Sequence, residues 1–254
     1  MEADFDTWML VFLRVSAFLL MLPFFTMSNF PVTMRVAVAA IIALLLAPVV
    51  PGLQLENLDL LSVLGVMVQE VSVGMLLGFV ARMIFYAVDI AGSVISTEMG
   101  LNLASILDPL TQTSSPIAGT VLMFLATLIM FTLNLHDWML LGFARTYMVL
   151  PVGGAHLSSA LFQNIVAQTS LVFLTALQIS SPIIAVSFVI TLVFAVLSRA
   201  VPQMNVFTEM FGFKVVGALI VLGFTLQLSA QYVANYLNRL PNDLLVVAQI
   251  LGEK

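Results

Sequence analysis

Two stretches of this chain, residues 60–95 and 162–197, each run for 36 residues with apolar side chains dominating throughout. As helices rising 1.5 Å per residue each would reach roughly 54 Å, well beyond the hydrocarbon core of a bilayer at about 30 Å. Each is therefore expected to break, to tilt strongly or to leave the bilayer. Four more apolar stretches, 8–25, 36–50, 117–135 and 215–237, make a set of six. Together they predict an all-α, polytopic helical membrane protein, built as one domain over residues 1–254. Apolarity that is continuous, not alternating with polar positions over about ten residues, argues against an outer-membrane barrel.

Charge is scarce. With 8 Lys+Arg and 13 Asp+Glu, only 8% of the chain is charged, against about 25% in an ordinary soluble domain. The net charge of −5 and the scattered basic residues leave no stripe for phosphates, so nucleic acid is not a partner. The absence of cysteine excludes disulfides and thiolate metal sites. The chain opens Met1-Glu2-Ala3-Asp4, acidic where a cleaved secretory signal is basic, so the first apolar stretch is expected to be retained.

Ionisable residues inside apolar stretches then ask for partners. Arg14 lies within the first stretch, where an arginine costs roughly 2.5 kcal/mol or more unless it faces protein. The third stretch carries Glu70, Arg82 and Asp89, which predicts that much of it is buried in protein or near water. Arg82 and Asp89 share a helix face, but two turns separate them by about 10 Å, so each pairs elsewhere. Arg14 with Glu70 is one couple that charge suggests. Such residues serve either an ion path or structural pairing that sets helix register.

Local signals divide the stretches. Ser180-Ser181-Pro182 is expected to break the fifth, because proline removes a backbone donor and clashes with the preceding turn. Gly74 and Gly78, followed by Gly92, Ser96, Gly100 and Ala104 at intervals of four, let helix backbones approach closely. They read as surface for other subunits. Pro202 presets a turn, Asn205 can bond neighbouring backbone, and Met204 and Phe207 offer apolar anchors, so Pro202-Gln203-Met204-Asn205-Val206-Phe207 reads as a docking loop. Short loops carry too few Lys and Arg to orient the chain, as befits a subunit held in a larger assembly. His136-Asp137 and His156 make no metal or acid–base signature, and no G-x-S-x-G is present. Nothing argues for an enzyme, a metal or a cofactor. The 15 methionines suit either plain apolar filling or a yielding seal around a pore.

Several longer motifs resemble a known family. Glu70-Val-Ser-Val-Gly-Met-Leu-Leu-Gly-Phe-Val-Ala-Arg82, the pair Ala91-Gly92 and Glu98-Met-Gly-Leu-Asn-Leu-Ala-Ser-Ile-Leu-Asp-Pro109 are similar to the core of the FliR family of flagellar export-gate subunits. So are Arg14 with Pro23, Pro31 and Arg35, the Leu150-Pro-Val-Gly-Gly154 turn, and the Pro202 to Phe207 hexapeptide. The pattern departs from the family at Glu98, where glutamine is usual, at Leu135 within Asn134-Leu135-His136, and at Lys214.

The resemblance implies a non-enzymatic channel subunit at the flagellar basal body in the bacterial inner membrane. It implies assembly with FliP-like and FliQ-like subunits and an FlhB-like switch protein, passage of unfolded flagellar proteins, and partial elevation toward the periplasm. A virulence injectisome subunit of the SctT type is the alternative within the superfamily. A small-molecule transporter is the alternative outside it, but it would want inverted repeats that the two halves do not show. The resemblance also locates a channel plug at Ile106, Leu107, Asp108, Pro109, Leu110, Thr111, Gln112, Thr113, Ser114 and Ser115. There Pro109 disfavours helix at Asp108, and irregular backbone at membrane depth needs protein or water around it.

Overall fold

A computed structural model describes residues 5–26, 31–52, 58–101, 117–156, 158–201, 203 and 205–253. Among the described residues the regular structure is helical: α1 (Phe5–Met21), α2 (Pro23–Thr26), α3 (Val32–Leu46), α4 (Leu60–Glu98), α5 (Ile117–Thr132), α6 (Leu135–Val149), α7 (Ser159–Ala200) and α8 (Val206–Gly252). Three of these, α4, α7 and α8, are long and apolar enough to cross a membrane, and α5 with α6 qualifies as a broken fourth.

The chain divides into two compact units. The first comprises Met1–Met83, Leu133–Thr169 and Leu237–Lys254. Its core is a continuous cluster in which Leu10, Val11, Val15 and Phe18 of α1 bury with Leu77 and Val80 of α4, Phe143 of α6, and Leu244 and Val247 of α8. The spacing of the α1 positions, with Arg14 among them, follows the helical period and gives one continuous buried stripe. Gly74 and Gly78 bring α4 against α1. A Cβ at Gly74 would collide with the Arg14 carbonyl oxygen, and one at Gly78 would stand 2.6 Å from the Met21 Cβ.

The second unit comprises Ile84–Thr132 and Ser170–Tyr236. Ala118, Leu122, Ala126 and Met130 of α5 recur every four residues on its buried side, as do Ile84, Val88 and Gly92 on α4. A Cβ at Gly92 would run into the backbone of Gly119. Gly74, Gly78 and Gly92, read from sequence as surface for other subunits, therefore face helices of their own chain. Backbone approach in lipid-like surroundings gains close packing from any helix, and the nearest one here is internal.

Two expectations about length are corrected. α7 runs unbroken through Pro182. Without an N–H at Pro182 the Gln178 carbonyl loses its helical partner, and the Ser181 hydroxyl donates to that carbonyl at 3.2 Å. Ser180 donates in the same way to the Ala176 carbonyl at 2.9 Å, but it is the Ser181 hydroxyl that satisfies the carbonyl the proline leaves open. α8 extends past the apolar stretch 215–237 to Gly252, through Pro241. Its polar Asn238, Arg239, Asn242 and Asp243 dilute the average hydropathy, but Leu240, Leu244, Val247 and Leu251 keep one buried face.

The glycine contacts generate a paired prediction. Gly92→Ala forces backbone apart and is expected to cost about 1–3 kcal/mol, whereas Gly65→Ala, with nothing within 4 Å of its Cβ, is expected to gain about 0.5–1 kcal/mol of helix propensity. Thermal melts of the detergent-solubilised variants check the ordering. A Gly92→Ala protein as stable as Gly65→Ala would refute the close approach.

Candidate functional site

Among the described residues the largest fully buried side chain is Arg14. From α1 its Nε donates to Glu70 Oε2 at 2.5 Å and its Nη2 to Glu70 Oε1 at 2.8 Å, a two-point grip between a guanidinium and a carboxylate that are 0% and 1% exposed. The third guanidinium nitrogen, Nη1, donates to the Leu150 carbonyl at 3.0 Å. Glu70 Oε1 also accepts from the Gly153 backbone N–H at 2.9 Å. The Tyr147 ring lies 4.3 Å from the Arg14 Cζ, close enough for the quadrupole of its face to attract the cation. Tyr147 in turn packs edge-on to Phe143 at 5.7 Å, and Phe143 stacks on Phe18 at 4.3 Å.

The loop after α6 is shaped to meet this pair. The Leu150 N–H closes α6 on the Thr146 carbonyl at 2.7 Å, and the Gly154 N–H bonds the Pro151 carbonyl at 3.1 Å. Gly153 takes φ +75°, which costs a glycine nothing and most other residues strain. Next to it Gln69 donates to the Ala155 carbonyl, and the His156 N–H bonds the Leu251 carbonyl at 2.7 Å. Four elements thus meet at one ion pair: α1, α4, the 150–156 loop and the end of α8. Charge suggests Arg14 with Glu70 as one couple from sequence, but Tyr147 and the Leu150 and Gly153 backbone groups carry no such signal beyond the Leu150-Pro-Val-Gly-Gly154 motif.

A second arrangement ends α4 in the other unit. The Leu101 N–H bonds the Ser96 carbonyl at 3.0 Å and the Gly100 N–H bonds the Thr97 carbonyl at 3.0 Å, with Gly100 at φ +75°. This is a Schellman motif, the left-handed glycine cap that stops a helix. A Cβ at Gly100 would strike the Phe211 ring. Glu98, two residues before Gly100, accepts from the Ser187 hydroxyl at 2.8 Å. Glu98 and Gly100 therefore fasten the end of α4 to α7 and α8, and Gly100, too, packs within its own chain.

Other candidate residues are not brought together. Arg82 Nη1 reaches the Met21 carbonyl at 3.4 Å, while Asp89 is exposed. His136 Nε2 lies 3.3 Å from Asp137 in the first turn of α6, and no three His, Asp or Glu among the described residues gather as a metal site. In the segment 202–207, read from sequence as a docking loop, Gln203 is exposed, and the Asn205 carbonyl accepts from the Thr208 and Glu209 backbone N–H groups as α8 begins. Val206 and Phe207 belong to that helix, so the loop is shorter than its sequence suggests. Pro202, Met204 and the Phe207 side chain lie outside the described residues, as does the whole stretch 106–115.

Residues 5–240 match the model of a family described as bacterial export proteins, family 1. The chain belongs to this family. It is 31% identical to the flagellar biosynthetic protein FliR of Bacillus subtilis over 224 residues, covering 86% of this chain and 85% of that one. It is 27% identical to FliR of Escherichia coli over 241 residues, 95% of this chain and 91% of the other. With FliR of Caulobacter vibrioides it shares 28% identity over 221 residues, 85% and 87% of the two chains. These relatives favour the flagellar branch over the virulence-secretion and transporter alternatives.

If only charge sign mattered, lysine would serve there, but a lysine cannot reproduce the two-point grip of Arg14 and the third bond to Leu150 together. Arg14→Lys is therefore expected to accumulate poorly in membranes. Arg14→Met leaves the buried Glu70 unpaired at a cost of about 3–5 kcal/mol, and the double variant Arg14→Met with Glu70→Met is expected to lose less than either single. Quantitative blots of membrane fractions compare wild type with Arg14→Lys, Arg14→Met, Glu70→Met and the double variant. Wild-type levels of Arg14→Met would remove the pair from the fold's foundations.

Proposed function

We propose that this chain is the FliR-type subunit of a flagellar export gate, a non-enzymatic channel component of the bacterial inner membrane. The observation that carries the reading is the match to the export family over residues 5–240. In this reading the chain joins FliP-like and FliQ-like subunits and an FlhB-like switch protein, and the assembly passes unfolded flagellar proteins. The helices support it in kind. Only 28% of the most apolar window of α7 and 11% of that of α8 is buried within the chain, which leaves wide apolar surface for lipid and for neighbouring subunits. Arg14, by contrast, is satisfied internally and keeps the fold's register, not an ion path.

The test is retrieval. A tagged copy expressed at native level in its own host should bring FliP-like and FliQ-like subunits through mild detergent, and its deletion should abolish motility. A chain that purifies alone and leaves motility intact when deleted would overturn the reading. Within it, Met204→Asp with Phe207→Asp is expected to block export while the chain still accumulates, because the 202–207 segment docks on a neighbour. Normal export from that variant would reduce the segment to a surface connection.

The stretch 106–115 is proposed as the plug. Ile106, Leu107 and Leu110 would pack on the pore wall, while the Thr and Ser side chains bond the loop's own backbone. A passing chain must displace such a seal, so a few kcal/mol should hold it. Deleting Leu110, Thr111, Gln112, Thr113 and Ser114 is expected to leave an assembled gate that leaks small ions, read as conductance or as sensitivity to a small toxic solute. An assembled gate that stays tight after the deletion would put the closure elsewhere.

A further inference from the structure

In the first unit, a cavity of about 460 Å³ opens where two apolar helices end. Leu46 and Val50 line it from the end of α3 and the turn that follows, and Leu141, Ala144 and Met148 line it from the last turns of α6. Its volume falls in the roughly 300–1,000 Å³ range of sites for small organic ligands. Among the described residues Arg145 is the one charged side chain in the lining, and no acidic residue joins it.

Arg145 differs from the other arginines described above. Arg14 has Glu70 and Arg82 has the Met21 carbonyl. Arg145 is exposed and has no hydrogen-bond or ion-pair partner among the described residues. It lies four residues before the end of α6, in the helix pair that together is long and apolar enough to cross a membrane. An arginine at that place reaches with its long stem toward the bilayer surface, where the anions at hand are lipid phosphates. Basic pockets between membrane helices hold anionic headgroups.

We propose that this cavity is a site for an anionic glycerophospholipid, with an acyl chain against Leu46, Leu141 and Met148 and the phosphate on the Arg145 guanidinium. Two observations point to an amphiphile. The cation needs an anion and the adjoining walls need hydrocarbon, and one lipid meets both demands. A carboxylate from a neighbouring subunit would answer the arginine but leave the apolar cavity unfilled.

The test uses the full chain with whatever subunits co-purify, washed extensively in mild detergent and extracted for lipid mass spectrometry. Wild type is expected to retain a stoichiometric anionic phospholipid. Arg145→Gln should retain about fivefold less, since a basic residue at an anionic surface is worth about that factor, and Arg145→Lys should keep most of it. Ala144→Trp, which fills the cavity and spares the charge, should also lose the lipid. Adding phosphatidylglycerol micelles should raise the melting temperature of wild type but not of Arg145→Gln, and phosphatidylcholine or inorganic phosphate should do nothing. Equal retention by wild type and Arg145→Gln would overturn the proposal. So would a lipid-free wild type whose position 145 cross-links to a neighbouring subunit, which would give Arg145 a protein partner instead.

Discussion

Withdrawing a guanidinium and a carboxylate from water costs several kcal/mol for each ion, and their attraction offsets this only when geometry is tight and the remaining polar atoms are bonded. Arg14 and Glu70 meet both conditions. The grip is two-point, Leu150 occupies the third guanidinium nitrogen, and Gly153 occupies the carboxylate. In a chain with so few charges, this cluster dictates much else in the first unit. Gly74 must be small so that the Arg14 backbone can sit against α4, and Gly153 must take a left-handed turn so that its N–H reaches Glu70. The pair is costly to form and costlier to break, so it selects one register of α1 on α4 and rejects others.

The second unit is held by shape. Gly92 against Gly119, Ala118 and Ala126 on the buried side of α5, and the ring of Phe211 over Gly100 replace polar bonding with backbone proximity. Close packing of this kind works where neighbouring lipid is as apolar as the side chains and burial alone gains little. Glu98 with Ser187 adds one polar tie at the end of α4. Methionine serves in both units as buried filling, at Met83, Met99, Met130 and Met139, which accounts for part of a high methionine content without recourse to a pore.

An export component must present apolar surface outward while keeping its own fold, and the division of labour here follows from that. Polar bonding is concentrated where Arg14 sits, whereas α7 and α8 expose Phe173, Phe188, Leu219 and Phe224. Those faces meet lipid or protein of similar apolarity. The proposed lipid at Arg145 extends the same logic, since a cation on such a surface takes its anion from the membrane.

Much of this was legible in the residues. Scarcity of charge and long apolar stretches specified a membrane protein, and continuous rather than alternating apolarity specified helices, which satisfy their backbone groups without water. An arginine among apolar neighbours demanded a partner, and a lone glutamate in the third stretch was available. The motifs pointed to the family, while the named relatives favoured its flagellar branch. Tertiary structure alone decided three things. It turned the glycine faces inward, since small residues state that a backbone comes close but not which one. It kept α7 continuous through Pro182, because the proline's lost donor is replaced by the hydroxyl of Ser181, a local exchange that helix-breaking rules do not count. And it brought the Gly153 and Leu150 backbone groups to an ion pair 80 or more residues away along the chain from at least one of its members. Backbone amides and carbonyls look alike at every position of a sequence, so only folding tells which of them a buried charge will use.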